Sequence, residues 1–312
     1  MNAQQSLTCA PLSHDIAVRL RDSGIDPLYV EDLIRRTITE DLAGGIDVTS
    51  VATVPITQRS VASYGSRADG TIAGLDIAVA TLQMVCGERL GEIERVVKDG
   101  ATVSSGDVLM RVTAPTQLLL TAERTSLNLL CHLSGIATAT ARWVSAVDGT
   151  GAIVRDTRKT TPGLRALEKY AVRCGGGQNH RMSLSDAALV KDNHVASAGG
   201  VVQAFRAVRE MNSHIPIEVE VDTLDQLREV IAAGADLVLL DNMSPDVMRD
   251  AVAIAAKHRS STGRPVLLEA SGGLTLDKAR AVAETGVHYI SVGGLTHSSP
   301  ILDVGLDLET VL

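Results

Sequence analysis

Between residues 152 and 294 the hydrophobic positions keep one rhythm, a short β-branched run followed by a longer amphipathic stretch. The runs AIVRDT (152–157), AALVKDN (187–193), IEVEV (217–221), DLVLLDN (236–242), VLLEASG (266–272) and HYISVGG (288–294) predict strands. Apolar residues at helical spacing predict helices around 163–173, 199–211, 223–233, 244–258 and 275–285. Thr223 stands as an N-cap before one of these, and Ser244 followed by Pro245 opens another. Repeated βα units require parallel strands joined by crossovers, which leaves a doubly wound sheet or a barrel. Polar residues end nearly every strand, and a barrel brings those C-terminal ends together, so a barrel is expected. Six clear strands are too few to close one, so it should be open or incomplete.

Before residue 152 the pattern is more varied. Residues 1–26 specify little, and the first helix runs from about Pro27, in an N1-like position, to Glu40. An acidic turn, EDLAGGIDVTS (40–50), follows, and IERVVKDGATVSSGDVLMRV in 93–113 predicts a hairpin with turns at Asp99-Gly100 and Ser105-Gly106-Asp107. From Gln117 to about Val147 the stripe is helical, with a break expected at Ser134-Gly135. This helix should join a smaller N-terminal domain to a larger C-terminal one, and Arg124 on it is a candidate functional residue.

Composition narrows the class. The 312 residues are 45% hydrophobic, with a net charge of −8 and only 2% aromatics, which argues against a nucleic-acid partner. No apolar run reaches membrane-spanning length, and the first residues lack the charge and apolar core of a signal peptide. The four cysteines are far apart and form no CxxC pair, so reduced thiols in a cytoplasmic protein are expected.

The charge is unevenly placed. Residues 155–194 carry eight Lys/Arg against four acids in an otherwise acidic chain, which suits a small polyanionic ligand. Arg165, Lys169 and Arg173 recur at spacing four and are expected on a solvated helix face, whereas Arg158, Lys159, Arg181 and Lys191 fall in loops or strand ends. In IEVEV the strand period puts Glu218 and Glu220 on one face, opposite Ile217, Val219 and Val221, and therefore into the barrel mouth. Asp241 ends the next strand, at the level expected for Glu220. The last two strands end in Ser271-Gly272-Gly273 and Val292-Gly293-Gly294, where backbone N–H groups can approach a phosphate. Phosphate cradle, carboxylates and cations together suit phosphoribosyl pyrophosphate and an acidic acceptor.

The segments AERTSLNLLCHLSGIAT, DTRKTTPGLRALEKYAVRCGGGQNHRMSLSDAALVKDNH, EVEVDTLDQ, LLDNMSP, EASGG and ISVGGLTHSS closely resemble the quinolinate phosphoribosyltransferases. The resemblance covers nearly all of the chain beyond residue 27. It implies an α/β protein with an N-terminal α/β sandwich (1–126, with a C-terminal return over 296–312) and an open seven-stranded β/α barrel (127–295). It also implies a homodimer with shared active sites, or a higher oligomer, using Mg²⁺. By motif, Arg124 corresponds to an arginine that reaches into the neighbouring subunit's site. Thr157, Arg158, Lys159, His180, Arg181 and Lys191 correspond to contacts with quinolinate and phosphoribosyl pyrophosphate. Glu220 and Asp241 correspond to the acids near ribose and metal, and these two with Lys159 and Lys191 form the expected catalytic set. The glycine-bearing ends 271–273 and 292–294 correspond to the phosphate site, with Gly273 replacing the usual Asn and Gly294 the usual Ala. The implied reaction makes nicotinate mononucleotide, CO₂ and pyrophosphate. Alternatives are a paralogous transferase for another acid, and a non-catalytic phosphosugar-binding barrel.

Overall fold

Local capping chemistry starts several helices where the sequence signals them. Asp26 caps the helix opened by Pro27, Thr223 and Gln226 form a capping box, and the Ser244 hydroxyl accepts from the Val247 amide behind Pro245. The computed structural model describes residues 9–311. Residues 1–8, part of the stretch read for a signal peptide and of the expected first domain, lie outside them.

The strands are β1 (Arg59–Ser66), β2 (Gly70–Thr71), β3 (Ile93–Arg95), β4 (Thr102–Val103), β5 (Val108–Pro115), β6 (Ile153–Arg155), β7 (Ala188–Val190), β8 (Ile217–Val221), β9 (Leu237–Asp241), β10 (Leu267–Ser271), β11 (Tyr289–Ser291) and β12 (Val304–Val311). The first helices are α1 (His14–Asp22), α2 (Pro27–Leu42), α3 (Val48–Thr53), α4 (Leu75–Cys86), α5 (Thr116–Ala146) and α6 (Arg165–Cys174). After them come α7 (Asp192–Ala198), α8 (Val201–Met211), α9 (Leu224–Ala232), α10 (Pro245–Thr262), α11 (Ala279–Ala283) and α12 (Gly294–His297). Among the described residues no helix is long and apolar enough to cross a membrane.

Two compact units emerge from the packing. The first comprises Met1–Ala139, Ala166–Gly175 and Ser299–Leu312, the second Thr140–Arg165 and Gly176–Ser298. In the first, an antiparallel sheet of order β12-β1-β5-β3 incorporates the C-terminal strand, and β2 pairs with β4. The expected hairpin is therefore split: β3 pairs with β5, while β4, between them in sequence, pairs with β2. The boundary expected at residue 126 falls inside α5, and α6 belongs to the first unit. Three contacts tie it there: Glu168 Oε1 lies 2.9 Å from His132 Nε2, Tyr170 donates to Asp99 at 2.6 Å, and Arg173 donates to the Ser23 carbonyl at 2.6 Å. Lys169 is fully buried, against the expected solvated face, whereas Arg173 is exposed. Burial pushes the Cys174 thiol up to about 12, which makes it packing and not a nucleophile.

Helix α5 runs unbroken through Ser134-Gly135, against expectation. The glycine there serves close approach: a Cβ on Gly135 would lie 2.1 Å from the Pro300 carbonyl oxygen. Ser134 meanwhile accepts from the Ala73 amide at 3.1 Å. Helix α1, in the stretch that specified little, buries only Ile16 and Leu20, too few apolar positions to stand out.

In the second unit six parallel strands form an open barrel of order β6-β11-β10-β9-β8-β7. The seventh strand shrinks to a single parallel bridge between Arg155 and Gln178, outside β6. Alternation sorts the strand residues into two faces. Val154, Val219, Val221, Val238, Leu240, Leu268 and Ile290 form a buried apolar set on one face, and Glu218, Glu220, Asp241, Glu269, Ser271 and Ser291 share the other. This places both IEVEV carboxylates on the inner side, as their spacing predicts.

In an exposed helix, Gly to Ala gains about 1 kcal/mol. Gly135→Ala should instead destabilise by about 1–3 kcal/mol, because the Pro300 segment must move. A melting temperature equal to or above that of the parent chain would show that this segment yields.

Candidate active site

The inner face of the barrel carries two groups of charges. In the more buried group, Glu269 is fully buried and Glu218 is 3% exposed. Arg155 donates to Glu269 at 2.8 Å while its guanidinium lies 4.2 Å from the centre of the Tyr289 ring, and Ser291 donates to the other Glu269 oxygen. His180 Nε2 sits 2.6 Å from Glu218 and 3.6 Å from Glu269. Burial first, then the nearby Glu218 charge, pushes the Glu269 carboxyl above its ordinary range, and His180 and Arg155 only partly offset this. Of this cluster the sequence singled out His180 and Glu218. Glu269 and Ser291 were missed, although their inward parity within the predicted strands was the signal that could have found them, and Arg155 was counted only among the eight basic residues of the 155–194 window.

Nearer the mouth, Lys191 follows β7 and pairs with Glu220 of β8. Asp241 is not level with Glu220, contrary to expectation. Glu220 registers with Leu239, so Asp241 lies two residues further toward the C-terminal end on the same face, level with Ser271. One Asp241 oxygen accepts from the Asn242 side-chain amide at 2.7 Å.

The loop after β6 supplies Thr157, Arg158 and Lys159. Its shape is held by the Lys159 amide donating to the Thr157 hydroxyl at 3.0 Å and by Thr296 donating to the Lys159 carbonyl at 2.7 Å. Arg181 is anchored by a bond to the Ala187 carbonyl at 3.0 Å. Burial first, then the neighbouring Arg158 charge, lowers the proton affinity of the Arg181 guanidinium. Two like charges thus act on one another, an arrangement suited to receiving an anion with more than one negative group.

The two glycine pairs differ in origin. Gly272 and Gly273 have φ of +93° and +56°, and a Cβ on Gly272 would meet Asn242 Oδ1 at 2.3 Å. Gly293 has no unusual φ but lies under Lys159, whose Cδ would be 2.9 Å from a Cβ there, with His297 Nε2 at 3.3 Å. Arg158, Lys159, Arg181, Lys191, Glu220, Asp241 and the 271–273 and 292–294 ends all belong to the second unit. Arg124 belongs to the first, exposed on α5 with Glu123 at 3.9 Å.

Among the described residues, His180, Glu218 and Glu269 are the one group of three whose ligand atoms lie close enough, within 4.8 Å, to share a metal ion. Both Glu269 oxygens there are already engaged by Arg155 and Ser291. Glu220 and Asp241 make a sparser pair at the mouth. Two carboxylates without a full protein cage suit Mg²⁺, which keeps water and substrate phosphates among its ligands.

Comparison with known proteins agrees with this architecture. The model of the quinolinate phosphoribosyl transferase N-terminal domain matches residues 47–134, and that of the C-terminal domain matches residues 136–307. The nicotinate-nucleotide pyrophosphorylase [carboxylating] of Mycobacterium leprae is 53% identical over 277 residues, covering 89% of this chain and 96% of that protein. The probable nicotinate-nucleotide pyrophosphorylase [carboxylating] of Bacillus subtilis is 41% identical, covering 90% and 94%. The solved structure of the nicotinate-nucleotide pyrophosphorylase from Francisella tularensis superposes with a TM-score of 0.84 at 37% identity, covering 90% of this chain and 96% of that one. With both domain models matched and relatives this similar over most of its length, the chain belongs to the quinolinate phosphoribosyltransferase family.

Proposed function

We propose that this chain transfers the phosphoribosyl group of phosphoribosyl pyrophosphate to quinolinate with decarboxylation, giving nicotinate mononucleotide, CO₂ and pyrophosphate in de novo NAD biosynthesis. The substrate choice is supported by the gathering of Arg158, Lys159 and Arg181 in the second unit, where the Arg158 charge acts on Arg181. A dicarboxylate matches that charge, whereas a monocarboxylate such as nicotinate would leave part of it unpaired.

In this reading the acid lies against Arg158, Lys159 and Arg181 with its ring nitrogen facing ribose C1. Glu220 and Asp241, one strand repeat apart in depth, hold the ribose hydroxyls. The 271–273 and 292–294 turns receive the 5′-phosphate through backbone N–H groups. Mg²⁺ held at Glu220 and Asp241 would supply positive charge against the pyrophosphate. The protein's own contribution is alignment of nitrogen and C1, plus fixed positive charge where negative charge leaves. Once the nitrogen is ribosylated, the positive pyridinium stabilises the electron pair left on C2 as the 2-carboxylate departs as CO₂, and C2 then takes a proton from solvent to give nicotinate mononucleotide. Arg124 completes the site of a second copy in a homodimer, a role that fits its exposure on α5. The free thiols at Cys9, Cys86, Cys131 and Cys174 fit a cytoplasmic setting.

The decisive assay supplies phosphoribosyl pyrophosphate, Mg²⁺ and quinolinate labelled in its 2-carboxylate, with nicotinate in parallel. Equimolar CO₂ and nicotinate mononucleotide from quinolinate alone are expected, and turnover of nicotinate but not quinolinate would overturn the substrate choice. Lys159→Ala and Arg181→Ala should each lower kcat/KM for quinolinate about 100-fold, and unchanged kinetics in both would remove them from the site. Arg124→Ala and Lys191→Ala chains, each nearly inactive alone, should recover about a quarter of parental activity when mixed and exchanged, because half the dimers then carry one intact site. No recovery despite demonstrated exchange would mean that Arg124 does not act in a second copy's site.

A further inference from the structure

The Arg181 amide donates to His180 Nδ1 at 2.7 Å. An amide N–H can only donate, so Nδ1 carries no proton and the ring proton sits on Nε2. That N–H points inward, to Glu218 Oε2 at 2.6 Å. Both ring nitrogens are therefore engaged within the protein, with the imidazole bridging the barrel interior and the main chain of Arg181. The His180 amide in turn donates to Asp156 at 2.8 Å, and the other Asp156 oxygen accepts from Asn179 at 2.6 Å. Two buried acids, Asp156 after β6 and Glu218 in β8, thus clamp the segment that presents Arg181.

Glu218 is a poor choice on grounds of packing alone. Its second oxygen, Oε1, is buried with no hydrogen-bond partner, an unfavourable arrangement. An apolar residue of similar volume would avoid that penalty. What Glu218 supplies, and an apolar residue cannot, is an acceptor for His180 Nε2–H. Glu220, two residues on and on the same face, meets Lys191 at the mouth, so the two carboxylates differ in task because they differ in depth.

We propose that Glu218 is a positioning residue that fixes the Nε2–H tautomer of His180, so that Nδ1 holds the Arg181 main chain and aims its guanidinium at the acidic substrate. This rests on the quinolinate reading above for its kinetic consequence but not for its spectroscopic one. In ¹⁵N-histidine spectra of the full chain, with His180 assigned by its loss in His180→Asn, one bare and one protonated nitrogen are expected. Glu218→Ala should mix the tautomers and raise the KM for quinolinate about tenfold, with kcat and the KM for phosphoribosyl pyrophosphate within about twofold. Glu218→Gln keeps an acceptor oxygen and should restore both the spectrum and the KM. A parent spectrum with both nitrogens protonated, or with the proton on Nδ1, overturns the proposal. So does a folded Glu218→Ala with unchanged KM for quinolinate. If Glu218→Ala does not fold, the parent and Glu218→Gln spectra decide. If the parent fails to turn over quinolinate, the functional reading falls while the spectra still decide the positioning role.

Discussion

The interaction on which the barrel depends is the fully buried Glu269 carboxylate, gripped by Arg155 of β6 and Ser291 of β11 and facing His180 and Glu218 of β8. A charged group withdrawn from water without partners is strongly unfavourable, so these strands and the 178–181 segment can assemble only in an arrangement that brings the partners to it. The apolar residues on the other face drive the collapse but are interchangeable in kind. The polar inner face is not, and it supplies the specificity of register.

That constraint also divides the site by depth. Along β8, Glu218 lies one repeat further in than Glu220, while on β10 Glu269 registers with the level of Glu220 and Ser271 with that of Asp241, one repeat further out. Because alternate residues on one strand face lie about 6.6 Å apart, one strand supports the scaffold and the chemistry at once. The deep residues have their partners within the protein. The outer ones, Arg158, Lys159, Arg181 and Asp241, sit where an anionic substrate can still change their balance of charge.

Alternation and capping were legible in the sequence wherever one local rule was enough. The six strands, the helices between them and the shared face of Glu218 and Glu220 all follow from period and caps. Features that depend on distant partners were not legible. Gly135 looks like a helix break until Pro300 is seen beside it, and Lys169 looks solvated until α6 is seen packed in the first unit. The offset of Asp241 from Glu220 is a matter of register between strands, which periodicity within a strand leaves open. Glu269 escaped notice for a similar reason, since an isolated charge in a strand shows its parity but not its depth.

The glycines show how one sequence signal can have several physical causes. Gly272 and Gly273 meet a conformational demand, φ in the left-handed region. Asn enters that region more readily than other side chains, so the Asn that the family resemblance implies at position 273 would be a conformational equivalent of Gly273. Gly293 meets a spatial demand, because Lys159 and His297 fill the place of a Cβ. Gly294 meets neither: nothing lies within 4 Å of a Cβ there, and the Ala that the family resemblance implies would fit without adjustment. The two departures from the implied pattern therefore fall where the backbone tolerates them, whereas at Gly272 the Asn242 backbone and side chain leave no room for a Cβ and at Gly293 a Cβ would displace the Lys159 side chain.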